Sequence, residues 1–297
     1  MNRIRISLAA LGLMGGLFGV VGCEKVGGGA SVKVDVTFVP PNFGLDAGDT
    51  GESETNDSAS GAEAATGSGP GKLVGKVVLT GTLPALPFPP MFTAGSAIKD
   101  AEVCAAVDTP DERLEVGEGN GVRNVFIYLK KTPKGDFSLN TEEAVIFDQK
   151  NCRFKPHCMI IPVGATVKVL SDDAVTHNTH TYPTKSTGVS NTVNPNDREG
   201  AMQYSFKRAE PAPIRVTCDF HAWMVAWQLP VDHPFASVTD ENGNFEIPDL
   251  PAGKHEFLVW HEGADGGFVS RGLSVTIAAG VDNPVTIDYP ASQLAAK

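Results

Sequence analysis

Three residues with metal-binding side chains follow one another at three-residue intervals in this 297-residue chain. Cys218, His221 and Met224 lie in residues 218–224 (CDFHAWM), which we expect to form a tight loop between two strands. A thiolate, an imidazole and a thioether suit copper in a trigonal site of two histidines and one cysteine with a weak axial methionine. Such a site needs a second histidine from elsewhere. His177 is a good candidate because it lies just beyond a predicted strand at 166–170.

The residues around these ligands resemble those of the cupredoxins, the small blue-copper proteins, and most closely the amicyanin type. The copper loop of that type has the form Cys-x-x-His-x-x-Met, and its first ligand histidine opens a His-Asn-x-His run, as at 177–180 here. A Gly-x-Thr-Val turn and strand lies upstream at 164–167. The resemblance covers about residues 145–231. It implies a Greek-key β-sandwich with one type 1 copper ion, bound by His177, Cys218, His221 and Met224, and it implies that His180 is not a ligand.

The resemblance also indicates which side chains orient the ligands. The family usually has an asparagine that joins the two ligand loops at the position of Ser171 in this sequence. Asn178 and Asp219 each follow a ligand directly, and hydrogen bonds from such neighbours orient ligands and tune the metal. The family uses the copper loop for docking, which implies that Ala222 and Trp223 contact a redox partner; a core position for Trp223 stays open. If the protein transfers electrons, we expect an exposed edge of His221 to be the electron port.

The first 22 residues are typical of an export signal. Arg3 and Arg5 precede an apolar run at 6–21, which is short for a membrane-spanning helix of about 20 apolar residues. Residues 20–23 (VVGC) resemble a bacterial lipobox, which implies that Cys23 becomes a lipid-carrying N-terminus in the periplasm or on the outer surface. Ordinary secretion and an uncleaved anchor stay open as alternatives.

The composition predicts a tether and excludes one class of partner. Residues 23–70 are rich in glycine, serine, alanine and acidic side chains, and such a segment stays solvated. The 24 basic and 35 acidic residues give a net charge of −11, which argues against nucleic-acid binding. We therefore expect an acidic spacer between the membrane and a folded body.

The remainder of the sequence predicts an all-β fold, because short apolar and alternating runs are separated by turn residues. The only candidate helix is at 97–107. Strands are expected at 73–79, 125–129, 144–147, 159–163, 166–170, 204–206, 214–218, 224–231, 237–239, 245–247, 255–260, 273–277 and 285–287.

A second β-sandwich is indicated by residues 235–262, which resemble the carboxypeptidase-regulatory-like or transthyretin-like type. The matching features are an Asn-Gly turn at Asn242 and Gly243 and a Leu-Pro-Ala-Gly run at 250–253. We expect residues 71–140 and 232–291 to form this outer sandwich, with the cupredoxin-like unit, 141–231, inserted in it or fused to it.

Five cysteines leave a disulfide to assign once Cys23 and Cys218 are set aside. Exported proteins retain disulfides. We favour a bond between Cys104 and Cys152 with Cys158 buried, and a bond between Cys152 and Cys158 stays open.

The function expected from the ligand set and the resemblance is one-electron transfer with an unidentified redox protein. Copper storage, delivery or sensing at the cell surface, and a non-catalytic binding module, are the alternatives. No enzyme is expected, because no second copper loop occurs. A further metal site built from other histidines is weakly indicated, since their spacing matches no ligand motif: His157, His233, His255 and His261.

Overall fold

A computed structural model describes residues 69–82 and 90–295, and within them the chain is almost entirely β. The expected export signal, Cys23 and the tether up to residue 68 lie outside the described residues. No helix in the described ranges is long and apolar enough to cross a bilayer. The strands are β1 Gly71–Thr80, β2 Phe126–Leu129, β3 Val145–Gln149, β4 Phe154–Lys155, β5 Cys158–Pro162, β6 Val167–Val169, β7 His177–Thr181, β8 Ser190–Val193, β9 Met202–Tyr204, β10 Ile214–Thr217, β11 Val225–Val231, β12 Ala236–Val238, β13 Asn244–Leu250, β14 Gly253–Trp260, β15 Phe268–Ile277 and β16 Asp282–Pro290.

The first sandwich consists of strands from the middle of the chain. One sheet has the order β5-β11-β10-β7-β8 and the other β4-β3-β6-β9. Their facing side chains form one buried apolar cluster that includes Phe147, Phe154, Val216 and Ala226. In the first sheet, β10 pairs antiparallel with both β7 and β11, so that the start of β7 and the turn from β10 to β11 lie at the same end of the sandwich.

The second sandwich consists of strands from both ends of the described chain. Its sheets have the orders β13-β1-β16 and β12-β2-β14-β15, with Leu73, Ile127 and Phe257 fully buried between them. The predicted Asn-Gly turn joins β12 to β13. Gly243 has a φ of +79° and lies so close to the backbone of Val77 that a side chain there would clash.

The two sandwiches pack against each other through a smaller apolar cluster. Its buried members include Phe126 and Trp260 from the second sandwich and Leu229 from β11. The Trp227 ring lies 4.6 Å from the Trp260 ring, centroid to centroid. The outward face of β11 is therefore a contact surface between sandwiches. The boundaries predicted between the two units stay a prediction.

The predicted helix at 97–107 is wrong in its length. Only Ala101–Cys104 is helical (α1), preceded by Asp100 in a left-handed conformation with φ of 53°. Short 3₁₀ turns occur at Glu118–Asn120 and Ala291–Gln293. The rest of residues 90–109 is irregular and packs against the first sandwich; we call this stretch the cover segment.

Candidate metal centre

Two loops at one end of the first sandwich carry the predicted ligands. His177 is the first residue of β7, and Cys218 follows the last residue of β10 directly. The loop from Cys218 to Met224 is closed by two backbone hydrogen bonds, from the Cys218 N–H to the Met224 carbonyl (3.2 Å) and from the Met224 N–H to the His221 carbonyl (2.9 Å). The tight turn brings His221 back towards the cysteine.

Three ligand atoms converge in the interior. The Nδ1 atoms of His177 and His221 lie 3.0 Å apart, and the Cys218 Sγ lies 3.9 Å from the first and 3.7 Å from the second. All three residues are buried. Metal–nitrogen and metal–sulfur bonds of about 2.0–2.3 Å in a trigonal arrangement would separate these atoms by about 3.5–3.8 Å. The set is therefore of the right size and composition to bind one metal ion with little movement.

Each candidate histidine has a carboxylate on its other ring nitrogen. His177 Nε2 lies 2.9 Å from an Asp173 oxygen, and His221 Nε2 lies 2.9 Å from an Asp100 oxygen. A carboxylate accepts the Nε2–H and so leaves the Nδ1 lone pair directed at the centre, which is how histidine ligands are oriented in metal sites. The two aspartates set the tautomer in which both Nδ1 atoms can bind a metal.

The surroundings of Asp173 and Cys218 favour the ionised form of each. Burial alone would raise the pKa of Asp173, but hydrogen bonds from His177 and from the backbone N–H groups of Cys152 and Asn151 lower it. Burial also opposes ionisation of Cys218, yet hydrogen bonds from both histidines and from backbone N–H groups lower the pKa of its thiol to about 6. Thiolate is the form that binds a metal.

Asn178 ties the two ligand loops together. Its Oδ1 accepts the Asp219 N–H at 2.6 Å and its Nδ2 donates to the Asp219 carboxylate at 2.7 Å. Ser171 has a different position: its Oγ accepts the Asp173 N–H at 3.4 Å, so it supports the partner of His177 rather than the copper loop. His180 contacts Asp219 at 3.1 Å and faces away from the centre.

Met224 and a disulfide complete the surroundings. The Met224 side chain is fully buried in the same apolar cluster as Cys218.

The structure joins Cys104 to Cys152 in a disulfide and leaves Cys158 and Cys218 as free, buried thiols. The disulfide links the cover segment to the loop whose backbone donates to Asp173.

The cover segment lies over the copper loop and corrects one expectation. Phe92 packs edge-on against Trp223, with ring centroids 4.9 Å apart, and the Lys99 ammonium lies 5.0 Å from the Phe220 ring centroid. Asp100 is hydrogen-bonded to His221 Nε2, and none of the surface of His221 is exposed to solvent. The prediction of an exposed histidine edge as the electron port is wrong, because another part of the chain occupies that surface. Ala222 is exposed and Trp223 is half-buried.

Sequence reasoning missed both aspartates. Asp173 lies four residues before His177, and an acidic residue that close to a candidate ligand is a signal that could have been used. Asp100 lies 121 residues from His221, and no local pattern connects them.

No protein-family model and no curated protein matches this chain. Solved structures similar to part of it include a copper-containing nitrite reductase from Thermus scotoductus (16% identity, 34% of this chain and 25% of that chain, TM-score 0.27). A purple cupredoxin from Nitrosopumilus maritimus is 23% identical, over 30% of this chain and 100% of that chain, with a TM-score of 0.24. A reduced mutant of amicyanin is 16% identical, over 32% of this chain and 86% of that chain, with a TM-score of 0.25. The chain spans about a quarter of the nitrite reductase. At these TM-scores the likenesses carry no functional argument.

Proposed function

We propose that the chain binds one copper ion in a type 1 site and transfers one electron without catalysing a reaction. The proposed ligands are His177, Cys218, His221 and Met224. The observation that carries the proposal is the convergence of two histidine nitrogens on one cysteine sulfur inside an apolar core, with both rings fixed from behind by carboxylates. Soft sulfur with imidazole is the ligand chemistry that copper favours.

The chain's own residues would hold this centre rigid. Copper bound there would supply a one-electron couple. Asp173 and Asp100 keep the two rings from turning, and Asn178 keeps the cysteine loop against β7. The surrounding buried side chains exclude water. A site that keeps its geometry in both oxidation states needs little rearrangement when an electron enters or leaves.

A visible absorption spectrum tests the site. Full chain with one equivalent of copper(II) should show an intense thiolate-to-copper band, because Cys218 is the only free cysteine beside two histidines in the described residues. Cys218→Ser should abolish the band. Cys158→Ala, which removes the other buried free thiol, should retain it. A colourless wild-type protein with a reactive Cys218 would contradict the proposal.

Copper storage or delivery is the second candidate, and the burial of His221 favours it. Outer-sphere electron exchange is hindered when the cover segment separates the ligand from any partner. Electron transfer requires a reversible one-electron couple and slow release of copper(I) to a chelator. Delivery requires fast release of copper(I) from the wild-type protein and no such couple.

We further propose that Cys23 carries lipid, that the acidic tether spaces the folded body from a membrane of the cell envelope, and that an unidentified redox protein is the partner. The residues at 20–23 and the acidic composition support this proposal. Membrane fractionation of a Cys23→Ala variant tests the anchor, which should be lost.

A further inference from the structure

A cavity of about 230 Å³ lies beside the candidate metal centre. Its floor is the outward face of the β10–β11 pair, where Arg215 stands opposite Trp227 in the register and Trp223 precedes the strand on the same face. The end of the cover segment, the turn before β5 and the loop after β14 supply the walls. Both sandwiches therefore contribute side chains to this one cavity.

Hydrogen-bonding groups without partners concentrate in this cavity. Four of the buried side-chain nitrogen or oxygen atoms that lack a hydrogen-bond partner in the described residues belong to residues that line it: Thr109 Oγ1, His157 Nδ1, Trp223 Nε1 and Trp227 Nε1. Thr109 and His157 are 3% and 8% exposed. Buried polar groups are normally hydrogen-bonded, so a cluster of exceptions calls for a ligand or ordered water.

These free groups are predominantly donors. The indole N–H of each tryptophan can only donate. That of Trp227 lies close enough to Glu262 to lower the pKa of this carboxyl, so the N–H of Trp223 is the one left for a ligand. His157 donates from Nε2 to Glu262, and its Nδ1 lies 3.7 Å from Glu112, too far for a hydrogen bond. Burial would lower the pKa of His157, but the hydrogen bond to Glu262 and the charges of both glutamates raise it. Protonation of the ring would make Nδ1–H a further donor without an acceptor in the described residues.

The arginines of the cavity leave one positive charge without a partner. Arg153 pairs with Glu112, and Arg113 pairs with Asp111. Arg215 makes no ion pair with any residue in the described ranges, although it lies directly across the strand pair from Trp227. Unused donors and an unpaired guanidinium favour an anion, and a carboxylate matches the guanidinium in shape.

A metal ion fits this cavity less well. No group of three histidine, cysteine or acidic ligand atoms within 4.8 Å of one another includes His157 in the described part of the chain. The side chains of Met91, Trp223 and Trp227 instead offer flat or apolar surface. The volume corresponds to about eight water molecules at about 30 Å³ each.

We propose that this cavity binds a small organic anion, a carboxylate on a flat apolar body such as an aromatic acid. The carboxylate is received by Arg215, Trp223 Nε1 and Thr109 Oγ1, and the body packs between the tryptophans. This site is separate from the proposed function, because none of its donors needs a metal.

Benzoate is the probe, titrated into the metal-free full chain and followed by calorimetry and tryptophan fluorescence. We expect saturable binding at one site, with benzamide, which has the same shape and no charge, at least about tenfold weaker. Arg215→Gln and Trp223→Phe should each weaken benzoate about tenfold, since the first removes the guanidinium charge and the second removes an indole donor. Arg208→Gln, which changes an exposed arginine outside the cavity, should bind as the wild type does.

Thr109→Val, which keeps the shape of the wall and removes the hydroxyl, replaces Trp223→Phe if that variant does not fold. Absence of saturable benzoate binding overturns the proposal. Equal affinity for benzamide, or unchanged affinity in the folded cavity variants, also overturns it. Because the protein contains no copper in this experiment, its failure is independent of the outcome for the metal centre.

Discussion

Replacing Asp173 by alanine is expected to weaken copper binding about 10–100-fold, the usual effect of removing the residue behind a histidine ligand. The metal-free protein should also lose at least about 3 kcal/mol of stability, because three donors lose their acceptor at about 1–3 kcal/mol each. These donors are His177 Nε2–H at 2.9 Å and the backbone N–H groups of Asn151 at 2.6 Å and Cys152 at 2.8 Å. Chelator competition and denaturant unfolding measure the two effects.

The neighbouring Asp172→Ala is the matched control, since this carboxylate is exposed and pairs only with surface cations. It should change neither quantity appreciably. The pH dependence provides a second check. The pKa of Asp173 is lowered in the folded protein, so its contribution is present above about pH 4, the usual value for an aspartate, and is lost as the pH falls. Equal copper affinity in both variants would contradict the role of Asp173.

Loss of the Cys104–Cys152 disulfide is the second large effect. In a Cys104→Ser, Cys152→Ser double variant we expect the free energy of unfolding to fall by about 4 kcal/mol, the loop-closure value for a loop of this length. The bonded residues are 48 apart in the sequence. The bond also fixes the cover segment next to Asp100, so copper(I) should pass to a chelator faster than from the wild type.

Cys158→Ala is the control for this experiment, because it removes a buried sulfur that crosslinks nothing. It should lose some stability through the small cavity that it leaves, and it should release copper(I) at the wild-type rate. Unchanged release from the double variant would show that the disulfide does not retain the cover over the centre.

The sequence was most informative where chemistry or apolar alternation is local. The spacing of Cys218, His221 and Met224 identified the loop, and each apolar strand prediction has a counterpart in the structure. The strands without a prediction are β4, β7 and β8. β7 reads His-Asn-Thr-His-Thr and β8 is mostly exposed, so neither carries the apolar pattern on which strand prediction depends.

Contacts between distant parts of the chain account for what could not be predicted. Asp100 reaches His221 only because the cover segment crosses to the other sandwich, and its irregular backbone is fixed by packing and a disulfide rather than by local propensity. The cavity beside the metal centre likewise joins residues from four separate stretches of sequence, and no local pattern connects them.

The pairing of β2 with β12 has a consequence for how the protein folds. Tyr128 and Ala236 face each other in this antiparallel pair, although all the strands of the first sandwich lie between them in the sequence. Closing such a long unfolded loop is entropically costly, and non-local pairing of this kind slows folding. If the intervening strands assemble first, the two ends arrive together and the outer sheet closes as if across a short hairpin. We therefore expect the copper-loop sandwich to be the earlier folding unit and the outer one to depend on it.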